Sequence, residues 1–220
     1  MDLCPPYLCL VTDRRQCAGR SLVDVVEQAV SGGVSMVQLR EKDLPAGELY
    51  ELGLELREVT RSQALLLIND KVDIAIACGA DGVQLGEEGL STEAAREASS
   101  GRLLLSRSVH SLEGAKLAQD SGADLLVLGT IFASGSHPGG ETGGLKRVAD
   151  VSAIVDIPVL AIGGITADNI GSVIEAGASG AAVITAITCS PDPRNAAYAL
   201  ARQMNEAWDF AATIRVAKRS

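Results

Sequence analysis

Eight short runs of almost unbroken apolar residues recur along the chain, and they constrain its fold more than any other feature. They span residues 7–11, 35–39, 65–68, 82–85, 103–105, 125–128, 159–162 and 181–184. A strand with one solvated face alternates apolar and polar residues. A strand covered on both faces is apolar at nearly every position, as in a parallel sheet flanked by helices. Between the runs lie helical patterns. In 21–31, Leu22, Val25, Val26, Ala29 and Val30 recur at helical spacing. Comparable stretches are 45–61, 71–78, 92–99, 112–121, 144–155, 168–176 and 193–210. Eight strand–helix units predict an α/β protein, a single (β/α)8 TIM barrel over residues 1–220, with about 212–220 as a frayed tail. An open doubly wound sheet would carry a Gly-rich phosphate loop after its first strand. Here that strand runs into Thr12-Asp13-Arg14-Arg15.

A weak internal repeat supports the barrel. Gly32-Gly33-Val34-Ser35, Gly79-Ala80-Asp81-Gly82, Gly122-Ala123-Asp124 and Gly177-Ala178-Ser179-Gly180 each close a helix just before a strand. The two aspartates in these turns, Asp81 and Asp124, read as structural. At 220 residues and 47% hydrophobic, the chain suits one domain.

A net charge of −9 argues against nucleic acid or an anionic membrane surface as partner. An anion must instead meet a local basic cluster inside a cleft. No apolar run is long enough for a membrane span, and residues 1–10 lack the basic start of a signal peptide. Five cysteines, without metal-type spacing, read as reduced thiols of a cytoplasmic protein. Cys189 is expected to be buried, and Trp208 and Phe210 to pack the last helix on the barrel. The sequence is compatible with a homo-oligomer.

Polar residues and glycines gather just after the strands, where barrel active sites lie. Gln38, Arg40 and Lys42 follow the second run; alternation would point all three one way, two cations toward one anion. Gly163 and Gly164 follow the seventh run, and Ile184-Thr185 the eighth. Backbone amides at these two ends form the usual phosphate site of such barrels. Asp70, in Ile68-Asn69-Asp70-Lys71, suits either a metal ligand or a helix cap. Both histidines of the chain, His110 and His137, fall on this same face.

These residues resemble a known family. Val37-Gln38-Leu39-Arg40-Glu41-Lys42-Asp43, Ile68-Asn69-Asp70, Ala80-Asp81-Gly82-Val83-Gln84-Leu85-Gly86, Ser108-Val109-His110-Ser111 and Ala161-Ile162-Gly163-Gly164-Ile165 look like the thiamine-phosphate synthase and thiazole tautomerase family. The match runs in order along nearly the whole chain. The resemblance implies a transferase of thiamine biosynthesis that joins hydroxymethylpyrimidine diphosphate to a thiazole phosphate. It implies Mg²⁺ as cofactor and small phosphorylated pyrimidine and thiazole substrates. Carried over, Gln38 and Ser108 contact the pyrimidine, and Arg40 and Lys42 hold the diphosphate. Asn69 supports it, and Asp70 binds Mg²⁺. Gly163, Gly164, Ile184 and Thr185 hold the thiazole phosphate.

The sequence departs from the synthase pattern in three places. The second metal carboxylate of the family falls on Gly89, with Glu87 or Glu88 as nearby substitutes. The family's diphosphate loop reads Ser134-Gly135-Ser136-His137, so His137 replaces a fixed cation and enters the expected catalytic set with Arg40, Lys42 and Ser108. The proline expected after Gly129 is Thr130. The stretch Ser106-Arg107-Ser108-Val109-His110-Ser111-Leu112-Glu113 is closer to the tautomerase, which moves a proton on a thiazole carboxylate phosphate and needs neither diphosphate nor metal. A non-catalytic phosphate-ligand-binding relative is a third reading.

Overall fold

A computed structural model describes residues 5–133 and 142–217. Eight parallel strands close into a barrel in chain order: β1 (Tyr7–Val11), β2 (Met36–Leu39), β3 (Leu65–Asn69), β4 (Gly82–Leu85), β5 (Leu104–Val109), β6 (Leu125–Leu128), β7 (Val159–Ile162) and β8 (Gly180–Val183). Register pairs Leu10 with Val37 and Leu8 with Ala181, so β1 closes the ring between β2 and β8. The helices are α1 (Leu22–Ser31), α2 (Ala46–Thr60), α3 (Val72–Ala77), α4 (Thr92–Ala98), α5 (Leu112–Asp120), α6 (Gly144–Ser152), α7 (Ile170–Glu175), α8 (Thr185–Thr188) and α9 (Pro193–Ala217). The expected single (β/α)8 barrel is the observed fold.

Burial explains the all-apolar strands. Tyr7, Cys9, Val11, Met36, Leu65, Leu67, Leu125, Val127, Leu160 and Ala182 pack together inside the barrel. Their chain neighbours Leu8, Leu10, Val37, Leu66, Leu126 and Ala181 pack outward under the helices. The two sets alternate along each strand. Cys9 lies in the inner set, and burial pushes its thiol pKa up to about 12.

The internal repeat has a physical basis. The side chain that closes each repeat, just before an even-numbered strand, accepts a backbone N–H from the odd-numbered strand beside it. Ser35 accepts from Leu8 (3.1 Å), Asp81 from Leu66 (2.7 Å), Asp124 from Leu105 (2.8 Å) and Ser179 from Val159 (3.4 Å). The preceding Gly33, Gly79, Gly122 and Gly177 all take positive φ. Arg57 and Arg96 reach from α2 and α4 to Asp81 and Asp124, at 2.7 and 2.8 Å. Asp81 and Asp124 are therefore structural, at the barrel end opposite the strands' C-termini.

Three local expectations are corrected. β5 extends to Val109 because Ser106 and Ser108 find polar partners inside the barrel mouth. Helical backbone in α9 continues to Ala217. Trp208 packs against the core, but Phe210 is 60% exposed on the far side of α9. Cys189 is exposed at the end of α8, where its thiol faces the Gln16 side-chain oxygen at 3.5 Å.

Candidate active site

The same alternation that fills the barrel with apolar side chains changes character at its C-terminal rim. From β2 to β5 the residues there are Gln38, Asn69, Gln84, Ser106 and Ser108. From β6 to β8 they are Val127, Ile162 and Ile184. One half of the mouth is polar and the other apolar.

The polar half holds two hydrogen-bond relays. In the first, Gln38 Nε2 donates to Asn69 Oδ1 (2.9 Å), and Asn69 Nδ2 donates to Asp70 Oδ2 (2.7 Å). Asp70 Oδ1 accepts the Gly86 N–H at 2.7 Å. Asp70 therefore does not cap α3, whose N-cap residue is Lys71. It fastens the loop after β3 to the loop after β4. In the second relay, Ser106 donates to Gln84 Oε1 (2.6 Å), and Gln84 Nε2 donates to Ser108 Oγ (3.0 Å). Ser108 accepts in this bond, so its own hydroxyl is left to donate into the mouth.

The cations Arg40 and Lys42 lie in the segment that follows Gln38 after β2. β2 ends at Leu39, and Lys42 sits in an exposed turn rather than on an extended strand. Neither side chain has an ion-pair or hydrogen-bond partner among the described residues. The interposed Glu41 is buried, at 4% exposure.

At the apolar half, Gly163 and Gly164 have φ of 105° and 62°. A Cβ at Gly164 would lie 2.5 Å from the Ala133 carbonyl oxygen, so only glycine permits this close approach. Ile131 and Phe132 donate to the carbonyls of Ile162 and Gly163, both at 3.0 Å. Asn169 Nδ2 donates to the Gly164 carbonyl at 2.9 Å. The amides of Gly164, Thr185 and Ala186 have no intramolecular acceptor among the described residues. Free amides beside two strand ends suit an anion.

The sequence left His110 without an assigned role and offered Glu87 only as a substitute metal carboxylate. His110 Nδ1 lies 2.9 Å from Glu87 Oε2, and Arg107 holds the Glu87 and Leu90 carbonyls at 2.9 and 2.6 Å. The place of His110 two residues beyond Ser108, just past the end of β5, was the available signal. Glu88 is exposed. Ser134, Ser136 and His137 lie outside the described residues.

Mg²⁺ takes one or two carboxylates, with substrate phosphates and water filling its octahedron. Among the described residues, no group of three or more His, Cys, Asp or Glu side chains is placed to hold a metal. A Cβ at Gly89 would lie 3.0 Å from Asp70 Oδ1, so position 89 borders that carboxylate but adds no donor of its own. Asp70 retains free lone pairs on hard oxygens. The residues fit Mg²⁺ in the one-carboxylate manner.

A closed β/α barrel with cations after β2 and free amides after β7 and β8 defines a phosphate-handling barrel enzyme. Comparison with known proteins gives the family: the chain belongs to the thiamine monophosphate synthase family, whose sequence model matches residues 8–187. It is 49% identical over 195 residues to a putative thiamine-phosphate synthase of Geobacter sulfurreducens, covering 88% of this chain and 92% of that one. It is 44% identical to a thiamine-phosphate synthase of Natronomonas pharaonis, covering 87% and 92%. The solved thiamine phosphate pyrophosphorylase of Pyrococcus furiosus superposes with a TM-score of 0.85 at 39% identity, covering 91% and 96%. No helix among the described residues is long and apolar enough to cross a membrane.

Proposed function

We propose that this chain joins hydroxymethylpyrimidine diphosphate to a thiazole phosphate, giving thiamine phosphate and inorganic diphosphate. The observation that carries the reading is the pair of cations, Arg40 and Lys42, in the segment that follows Gln38 after β2, neither with a partner among the described residues. A reaction that expels diphosphate needs free positive charge where the leaving group departs. Family membership supports the same reading.

The C–O bond between the pyrimidine methylene and the diphosphate breaks, and the diphosphate leaves with the electron pair. The thiazole nitrogen then attacks the pyrimidine cation and forms the new C–N bond. Arg40 and Lys42 neutralise charge as it develops on the diphosphate, the kind of contact that strengthens in the transition state. Asp70 would hold Mg²⁺, which when bound neutralises further charge on the leaving group. Gln38 is fixed by Asn69 through one N–H, leaving its carbonyl oxygen and second N–H for the pyrimidine. Ser108, fixed by Gln84, offers its hydroxyl to the same ring. The amides of Gly164, Thr185 and Ala186 bind the thiazole phosphate. Ser134, Ser136 and His137 complete the diphosphate loop in this reading. The reduced thiols expected from the sequence fit a cytoplasmic setting.

The test is to measure diphosphate release with both substrates present, with Mg²⁺ and with excess chelator. Release that needs the thiazole phosphate and Mg²⁺ supports the reading. Absence of release, together with proton exchange on a thiazole carboxylate phosphate, would replace it with the tautomerase. The carboxylate-held His110 is the feature that would serve that second reaction.

A further inference from the structure

We infer that Arg14 is a positioning residue: it holds both carboxylates of the loop after β2 and thereby keeps Arg40 and Lys42 free for an anionic substrate. This rests on reading that loop as the diphosphate site.

The loop alternates cation and carboxylate, Arg40-Glu41-Lys42-Asp43. Such a run can neutralise itself, because each cation has an acid beside it. A cation already paired offers less to a ligand, since the existing pair must first be broken. In the structure the carboxylates turn away to the first strand's loop. The Arg14 backbone N–H donates to Glu41 Oε1 at 3.0 Å, and its Nη1 donates to Glu41 Oε2 at 3.0 Å. The same Nη1 donates to Asp43 Oδ1 at 2.7 Å, and Nη2 to Asp43 Oδ2 at 2.8 Å. One guanidinium thus engages both acids, forking onto Asp43.

Thr12 adds a second grip. Its N–H donates to the Gln38 carbonyl at 3.0 Å, and its Oγ1 accepts the Arg40 N–H at 2.9 Å. Residues 12–14 therefore hold residues 38–43 at four points along the segment. The charge balance is specific: two carboxylates meet Arg14, and the two cations of the loop have no partner among the described residues.

The experiment is calorimetric titration of the full chain with inorganic diphosphate in the presence of Mg²⁺, alongside steady-state kinetics. Three proteins are compared: wild type, Arg14→Gln, and the triple variant Arg14→Gln/Glu41→Gln/Asp43→Asn. In Arg14→Gln the freed acids should turn to Arg40 and Lys42. Diphosphate affinity should fall about tenfold or more, the effect of losing one charge-assisted contact. The loss should appear in the KM for the diphosphate substrate more than in kcat. The triple variant removes the competing acids and should recover most of the affinity, which a purely structural role for Arg14 would not allow. Affinity within twofold of wild type in Arg14→Gln would overturn the inference. So would a triple variant as weak as the single one. If Arg14→Gln does not fold, Arg14→Lys replaces it: an ammonium cannot make the fork, so affinity should fall to an intermediate value, and unchanged affinity overturns the inference. A wild type that binds no diphosphate removes the functional reading and this inference together. Binding retained in Arg14→Gln removes the inference alone.

Discussion

Asp70 accepts the Gly86 amide at 2.7 Å, tying the loop after β3 to the loop after β4 through a carboxylate at the barrel mouth. This bond fixes the carboxylate while leaving its charge available.

Asp70→Asn should separate the two roles. An asparagine oxygen still accepts from Gly86, but its Nδ2 would face the Asn69 Nδ2 donor, so stability should fall by roughly 1–3 kcal/mol. Turnover should fall by roughly 10²- to 10³-fold, as when one preorganised electrostatic contact to the transition state is lost. Thermal melts and steady-state kinetics on the same preparation check both. A large loss of stability with full turnover per folded molecule would make Asp70 structural only.

Ser108→Ala removes the hydroxyl aimed at the pyrimidine. Gln84 Nε2 keeps the Leu85 carbonyl at 3.3 Å as acceptor, so the relay is weakened rather than orphaned. Specificity for the pyrimidine substrate should drop about tenfold, near 1.4 kcal/mol. The thiazole KM should hold. Kinetics with each substrate varied in turn would show this.

Gly164→Ala forces a side chain into a backbone with φ of 62° and against the Ala133 carbonyl. Strain of about 1–3 kcal/mol is expected. The loop after β6 must move, and with it the anion site. Phosphate affinity should weaken and the melting temperature should fall together, measurable by titration and calorimetry.

Much of this was legible in the chain. The barrel followed from strands buried on both faces, and the Gly-x-Ser/Asp turns marked the even strands because each closes a backbone bond to its neighbour. Gln38 and Asn69 were legible because polar residues ending apolar runs must face the mouth. Other features were not. The Ser106-Arg107-Ser108 end of β5 looks like a loop, since its inward polarity is satisfied only by Gln84 on another strand. The Arg14–Glu41 pair spans two strand units, and nothing local in either segment announces it. Phe210 and Cys189 were misplaced because residue type alone does not say which face of a helix a side chain occupies.

The Arg14–Asp43 pair also predicts an acid response. The Arg14 hydrogen bonds hold the Asp43 carboxyl down at about 2, below its ordinary 3.8. A depressed carboxyl stabilises the fold above its unfolded pKa, and that contribution is lost as pH falls through the folded value. Asp43→Asn should therefore melt lower than wild type at pH 5. The difference should shrink between about 3.8 and about 2 and vanish below. Paired melts across that range check the sign, and a difference that grows on acidification would refute it.

The condensation itself is tested by mass-resolved detection of thiamine phosphate. Purified protein is incubated with hydroxymethylpyrimidine diphosphate, thiazole phosphate and Mg²⁺. Thiamine phosphate and inorganic diphosphate should appear in equal amounts, with Arg40→Ala slower by roughly 30- to 1,000-fold at saturating substrate. Substrates consumed without thiamine phosphate, or full product formation by Arg40→Ala, would contradict it.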